Sequence, residues 1–485
     1  MKKLLLIAGV ILAAIISQAQ WQPDIRLTNS PDSSITTNGY SHCIATHGDT
    51  VHVVWYDRRD GNKEIYYKRS LDNGLTWDVD TRLTNDANRS TLPCVSVSGS
   101  VVHVVWKDTR DGNNSVGEIY YKQSQDGGTI WGNDIRLTFD PAYSSEPSVI
   151  ANDSIVHVIW NDNRDGNQEI YYKRSTDGGV TWGPDTRLTN APAASYNCSL
   201  AVSGQNIYVV WNDYRTTICG IYLKKSTDGG NTWDPDTRLS DFSTVSAYPS
   251  IAACGSQVHI VWSEWKPGGF VEIYYKHSID NGVTWSTDAQ LTSDGAQSIW
   301  PNIVISLSTV HVVWQSDLNG NLAVYYKGST DNGVTWSTET QLNDLLISSL
   351  CPSIAVSGPV LHVVWYDFRD LNYEVYYKRN PTGGFPVGIE NDKINNSAQQ
   401  VIIYPNPAST HIHIKFNNEV NQSAGNKDEK NTLTIRNIIG VELLSKQIQN
   451  DEAIIEVSNL QNGFYFVSVK TNKSQVNGTK LIIAK

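Results

Sequence analysis

Ion-pairing and metal-binding chemistry is the first thing the chain offers, in the run Trp55-Tyr56-Asp57-Arg58-Arg59-Asp60-Gly61-Asn62 and the Glu64 that follows. A carboxylate two residues before a guanidinium can hold an anionic ligand or form an ion pair. Asp57, Asp60, Asn62 and Glu64 also loosely resemble the oxygen ligands of a calcium loop. The pair returns as Asp108/Arg110, Asp162/Arg164, Asp213/Arg215 and Asp367/Arg369, and the glutamate as Glu118, Glu169, Glu272 and Glu374. Six histidines return as well: His52, His103, His157, His259, His311 and His362 each stand three residues before a tryptophan. A metal centre or catalytic pocket is one asymmetric place, and evenly spread copies cannot converge on it. The carboxylates and guanidinia therefore read as ion pairs, the calcium-like run as a hydrogen-bonded turn, and the histidines as packed strand residues. The sequence assigns no metal, no cofactor and no catalytic residue.

Groups found once are the better candidates. Of the sixteen tryptophans, seven end a repeated strand and six belong to a second repeated motif, which leaves Trp21, Trp265 and Trp300. The Trp300 position is variable between copies, holding Ser41, Leu92, Glu146, Asn197, Tyr248 and Cys351 elsewhere. Glu146, Tyr196, Asn197, Tyr248, Trp265 and Trp300 thus form a candidate ligand-binding arc over four consecutive copies. Aromatic faces with amides and a carboxylate suit stacking on sugar rings or anchoring a protein loop. The competing reading is that they plug an axial channel or cap the units. His42 is also unrepeated, with no partner visible in the sequence.

The elements that must position these residues follow from the period. A strand such as Val51-His52-Val53-Val54-Trp55 recurs with its tryptophan at 106, 160, 211, 262, 314 and 365, at intervals of 51 to 54 residues. Around it each copy reads as four short strands separated by turn residues. A four-stranded unit of that length cannot bury both faces alone and must stack on its neighbours, as the blades of a propeller do. A fourth-strand segment, Asp24–Thr28, precedes every other strand, while the last copy stops after its third strand near Arg379. The expectation is an all-β, seven-bladed β-propeller over residues 20–380, with the N-terminal strand closing the last blade. In such a ring the second-to-third strand turns and the loops leading into first strands share one face.

Between the third and fourth strands lies Ser70-Leu71-Asp72-Asn73-Gly74-Leu75-Thr76-Trp77, repeated at Ser175–Trp182, Ser226–Trp233, Ser278–Trp285 and Ser329–Trp336. Ser124–Trp131 is a sixth copy with Thr129-Ile130 reversed, and Asn380–Gly384 has lost the pattern. This Ser-x-Asp-x-Gly-x-Thr-Trp pattern is the Asp box (BNR repeat), and from Trp21 to Arg379 the chain resembles the sialidase-like Asp-box propellers. The resemblance implies the fold rather than the activity, because in that family the box lies away from the active site. It also implies what a sialidase would need: an arginine cluster, a Tyr–Glu nucleophile pair and an Asp acid/base. The usual Arg-Ile-Pro is absent, and Arg26 belongs to the repeat with Arg82, Arg136, Arg187 and Arg238.

Lys2 and Lys3, an apolar stretch from Leu4 to Ile16, and Ser17-Gln18-Ala19 read as a signal peptide over residues 1–19. No later apolar run is long enough for a transmembrane segment. Six scattered cysteines read mostly as buried apolar residues, and the net charge of −11 argues against nucleic acid. Residues 381–400 read as a linker, and 401–485 as a small β-sandwich-like domain. There Tyr404-Pro405-Asn406-Pro407-Ala408, Leu460–Val469 and Lys480-Leu481-Ile482-Ile483 resemble the type A sorting domain of the type IX secretion system. That resemblance implies a Bacteroidetes-type bacterium, engagement of the type IX machinery, and a protein released or held at the cell surface. The leading expectation is a secreted or cell-surface module binding a glycan or protein ligand. The alternatives are a polysaccharide-active enzyme, either a sialidase-like glycoside hydrolase or a polysaccharide lyase, and a purely structural surface protein.

Overall fold

The computed structural model describes residues 21–37, 42–112, 116–293, 295–343 and 348–383 of the repeat region. Towards the C-terminus it describes 401–404, 408, 410–416, 431–437, 442–448, 452–460, 463–470 and 475–483. The signal segment 1–19, Ser41 and positions 384–400 of the expected linker lie outside the described residues.

Seven antiparallel sheets carry the repeat. The second blade is typical: Ser90–Ser98 pairs with Val101–Asp108, that strand with Glu118–Ser124, and that one with the short Ile135–Arg136. The β-branched runs of the second strands are buried on both faces, and all seven strand tryptophans are 0% exposed. Every apolar cluster of the repeat region draws on adjacent blades, as where Trp160 and Val158 meet Cys94 and Tyr121. The core therefore lies in the seams between blades, which is why no blade is stable alone.

Blade seven is completed by Ile25–Arg26, which pairs with Tyr377 and Tyr376 of Glu374–Asn380. Asp24 makes ion pairs with Arg369 at 3.0 Å and Lys378 at 2.8 Å. Asp80 does the same for Arg59 and Lys68 in blade one. The N-terminal strand thus carries the residues of a fourth strand and gives the last blade the short outer edge that the other blades have.

A second polar device ties six of the seven blades to the next. His52 Nδ1 lies 2.7 Å from the Tyr67 hydroxyl, and the Tyr67 ring meets Trp131 of the following blade edge-on at 4.9 Å. The arrangement recurs for His103–Tyr121–Trp182, His157–Tyr172–Trp233, His259–Tyr275–Trp336 and His362–Tyr377–Trp77. His311–Tyr326 ends instead on Trp21, at 5.2 Å. Trp21 is therefore not an unrepeated residue: it stands in for the tryptophan of the Asp box that blade seven has lost. In blade four Tyr208 takes the histidine position and Leu223 the tyrosine position, both buried.

The Asp boxes are self-contained turns. Asp72 accepts from the Thr76 N–H at 2.8 Å and the Thr76 hydroxyl at 2.6 Å, while Ser70 Oγ accepts from the Gly74 N–H at 2.8 Å. The bonds from Thr76 hold the Asp72 carboxyl down at about 2. Gly74 has φ +81°, and a Cβ there would overlap the Tyr377 hydroxyl of the neighbouring blade. Two independent reasons exclude any other residue.

Residues Gly388–Lys485 form a separate compact unit. One sheet holds Val401–Tyr404, His411–Phe416 and Glu452–Glu456; the other holds Glu442–Ile448, Asn431–Asn437, Gly463–Lys470 and Gln475–Ile483. Ile412, Ile414, Leu433, Ile435, Val467 and Leu481 pack between them, a small β-sandwich.

Candidate functional site

The repeated charges are consumed within the blades. Asp57 takes Arg59 at 2.6 Å, the Ser34 hydroxyl at 2.7 Å and the Trp55 indole N–H at 3.3 Å. Glu64 takes Arg82 at 3.0 Å together with the Thr84 hydroxyl and the Asp86 N–H. Hydrogen bonds from Arg59 outweigh burial and hold the Asp57 carboxyl below its usual range. Blades two, three and seven repeat this network. These carboxylates serve as the acceptors of internal ion pairs and hydrogen bonds. Among the described residues no three His, Cys, Asp or Glu side chains gather as a metal site. The histidines, at 0–2% exposure, are buried strand residues.

What remains is the variable position of the first strand, which has a geometry the sequence did not reveal. Leu92, Glu146, Asn197, Tyr248, Trp300 and Cys351 all sit at φ between +51° and +57°. The ladder to the second strand slips there in each of these blades, for example between Ala247 and Ser250 and between Ile299 and Asn302. The following residue is proline in five of the six, so the bulge leaves no orphan N–H at that point. A left-handed non-glycine residue costs about 1 kcal/mol or more and persists only where its surroundings fix it. Here the preceding blade does so: Asn212 Oδ1 accepts from the Tyr248 N–H at 2.9 Å, and Gln315 Oε1 from the Cys351 N–H at 3.0 Å. A bulge re-aims its side chain, and among the described residues this one does so in six blades.

Of the six candidates, three meet directly. Tyr248 lies between Trp265 and Trp300, with ring centroids 6.1 and 6.0 Å away at interplanar angles of 49° and 79°. All three are half-buried, with Trp265 at the end of Gln257–Trp265 and Trp300 within Ile299–Ser306. Tyr196 stacks instead on Tyr214, at 5.6 Å and 13°, and the two hydroxyls share a hydrogen bond. Burial, with the nearby Tyr248 and Glu146 acting in the same sense, raises the Tyr196 phenol; the bond to Tyr196 is the first cause raising that of Tyr214. Glu146 accepts from Asn161 Nδ2 of the adjacent strand. Asn197 shares the left-handed backbone but is 5% exposed and makes none of these ring contacts. Tyr214, Asn161 and Asn212 were missed by sequence reasoning. Tyr214 holds the place between the aspartate and arginine of the repeated turn that Trp265 holds one blade on, and comparing that position across copies exposes both. His42 is pushed down to about 4 by burial and hydrogen-bonds Asn302, bridging blades one and six.

Comparison with known proteins places this geometry. The model of the BNR repeat-like domain matches residues 16–260, just over half of the chain. The model of the secretion system C-terminal sorting domain matches residues 402–484. A sialidase of Paraclostridium sordellii is 25% identical over 290 residues, 48% of this chain and 70% of that protein. The solved polysaccharide lyase Uly1 superposes with a TM-score of 0.51 at 10% identity, over 74% of this chain and 99% of its own. Phage phi92 endosialidase gives a TM-score of 0.45 at 10% identity, over 95% of this chain and 87% of its own. At 10% identity the likeness to Uly1 shows the fold alone.

Proposed function

Because the chain belongs to the BNR repeat-like domain family and ends in a type IX secretion sorting domain that marks it for the cell surface or the medium, we propose that its propeller is a glycan-binding module. The observation that carries the reading is the Trp265–Tyr248–Trp300 group. Three aromatic rings from two blades stand half-exposed, two of them on or beside a backbone bulge that the neighbouring blade holds in place. Packing alone does not call for so much aromatic surface at the mouth of the ring, since the core lies in the seams. Flat apolar faces at steep angles to one another cradle a pyranose ring, and the buried Asn212 amide that accepts from the Tyr248 N–H fixes one of them.

The test is a glycan array probed with the exported protein and with Trp265→Ala/Trp300→Ala. The expected result is retention of a subset of glycans by the parent and at least tenfold weaker retention by the variant, with melting temperatures within a few degrees. Unchanged retention by the variant refutes the assignment. Assaying reducing ends and ultraviolet-absorbing unsaturated products on the retained polysaccharides separates the module from a hydrolase or a lyase.

A further inference from the structure

On the same face, over blades one and two, four cations gather. Burial and then the charges of Arg58, Arg89 and Lys107 depress the Lys63 ammonium. Its Nζ lies 4.8 Å above the Tyr56 ring; Lys107 Nζ lies 4.3 Å above the Tyr143 ring and donates to its hydroxyl at 2.6 Å. Among the described residues none of the four forms an ion pair. Their neighbours Arg59, Arg82 and Arg110, by contrast, are all bound to carboxylates. All four are departures from the repeat: Thr109, Asn163 and Tyr214 stand at the Arg58 position in later blades, and no corresponding residue is cationic at any of the four places. A chain of net charge −11 thus concentrates unneutralised positive charge at one place on its ligand face. Like charges brought together without a counter-charge destabilise the fold, and a bound anion removes that cost.

We propose that Arg58, Lys63, Arg89 and Lys107 seat the negative groups of an acidic glycan, whose sugar rings stack on Tyr56 and Tyr143. This deepens the glycan-binding reading and rests on it. The charged groups of such a chain are carboxylates or sulfates. Both accept hydrogen bonds from guanidinium forks and ammonium groups.

The test measures binding of dextran, polygalacturonate and dextran sulfate to the full exported protein, to Arg58→Gln/Lys63→Gln/Arg89→Gln, and to Trp265→Ala/Trp300→Ala. Arg58 and Arg89 are exposed and Lys63 half-buried, so the triple variant keeps the fold, checked by its melting temperature. The parent is expected to hold at least one polyanion well above dextran and to release it as salt rises. The triple variant is expected to bind it roughly a thousandfold more weakly, at about tenfold for each of the three charged hydrogen bonds lost. Retention of polygalacturonate alone identifies carboxylates, and of dextran sulfate alone, sulfates. Equal polyanion binding by parent and triple variant overturns the proposal, as does a preference for dextran. If the tryptophan variant still loses its array glycans in that case, the glycan-binding reading survives; if no glycan binds the parent at all, both fall.

Discussion

Acid should unfold this propeller unusually early, because of the six histidines of its second strands. Each is 0–2% exposed and bonded through Nδ1 to a buried tyrosine hydroxyl. Burial lowers His52, His103 and His157 from 6.5 to about 4, and His259, His311 and His362 to about 3. The sign follows from which state binds protons. Above pH 6.5 neither state is charged at these positions and they contribute nothing to pH dependence. Between 6.5 and 4 the unfolded chain protonates its histidines while the folded chain holds them neutral, so stability falls with pH. Each such proton is worth about 1.4 kcal/mol per pH unit, and six give a limiting slope of about 8 kcal/mol per unit. A stability of roughly 5–15 kcal/mol is exhausted within one to two units, giving an unfolding midpoint of about pH 5. Urea unfolding followed by tryptophan fluorescence at intervals from pH 7 to 4.5 measures the slope directly. A His157→Gln variant, which removes one titrating ring, should lower the slope by about 1.4 kcal/mol per unit. A slope below about 2 kcal/mol per unit, or one that the substitution leaves unchanged, refutes the reasoning.

Two further outcomes test the inter-blade seams. Gly178 and Gly179 both have positive φ, +72° and +90°, but only at Gly179 would a Cβ strike a neighbour, the Tyr121 hydroxyl of the preceding blade. Gly178→Ala should therefore cost about 1 kcal/mol and Gly179→Ala about 3 kcal/mol or more, as read by thermal melting; equal costs would show that the seam tolerates displacement of Tyr121. Trp21→Ala removes the ring that closes the tyrosine–tryptophan series on Tyr326 and should cost about 2–3 kcal/mol with faster proteolysis of the N-terminal strand. An unchanged melting temperature would mean that Trp21 does not substitute for the missing Asp-box tryptophan.

The period made the fold legible, because a tryptophan every 51 to 54 residues fixes the number of blades and the place of every strand. The same subtraction correctly set aside the Asp–Arg pairs and the histidines, whose partners all lie within the repeat or its seams. It failed where a residue belongs to the repeat in space but not in sequence. Trp21 precedes the first strand, so linear counting left it single although its ring fills a repeated position. It failed again beside repeated residues: Arg58 is hidden by Arg59, and Tyr214 by Asp213 and Arg215. The left-handed bulge left only one sequence signal, the proline that follows it. A two-against-one pairing disturbs the register without disturbing the alternating pattern of the strand. Of the six arc candidates Tyr248, Trp265 and Trp300 are neighbours, while the groups that hold them, such as Asn212, left no mark in the sequence.

The blades that carry the aromatic arc are also those that depart from the ion-pair network. In blade five the aspartate and arginine become Glu264 and Lys266, 2.5 Å apart; in blade four Gly220 stands where the glutamate belongs. Blade six has gone furthest, with Ser316 and Leu318 at the Asp57 and Arg59 positions, and among the described residues the buried Trp314 indole N–H has no acceptor. The equivalent Trp160 and Trp211 donate to Asp162 at 2.9 Å and Asp213 at 2.8 Å. If blade six lost its network only by drift, Ser316→Asp with Leu318→Arg should restore the indole acceptor and stabilise the propeller by about 1–2 kcal/mol without touching glycan retention. If the loss serves the site, the restored turn will stiffen the loop beside Trp300 and retention will fall while the melting temperature rises. Stability gained at the expense of binding is the expected outcome, because a bulge held open for a ligand and a turn locked by its own charges compete for the same few residues. A variant that gains both would break the link between the relaxed network and the ligand face.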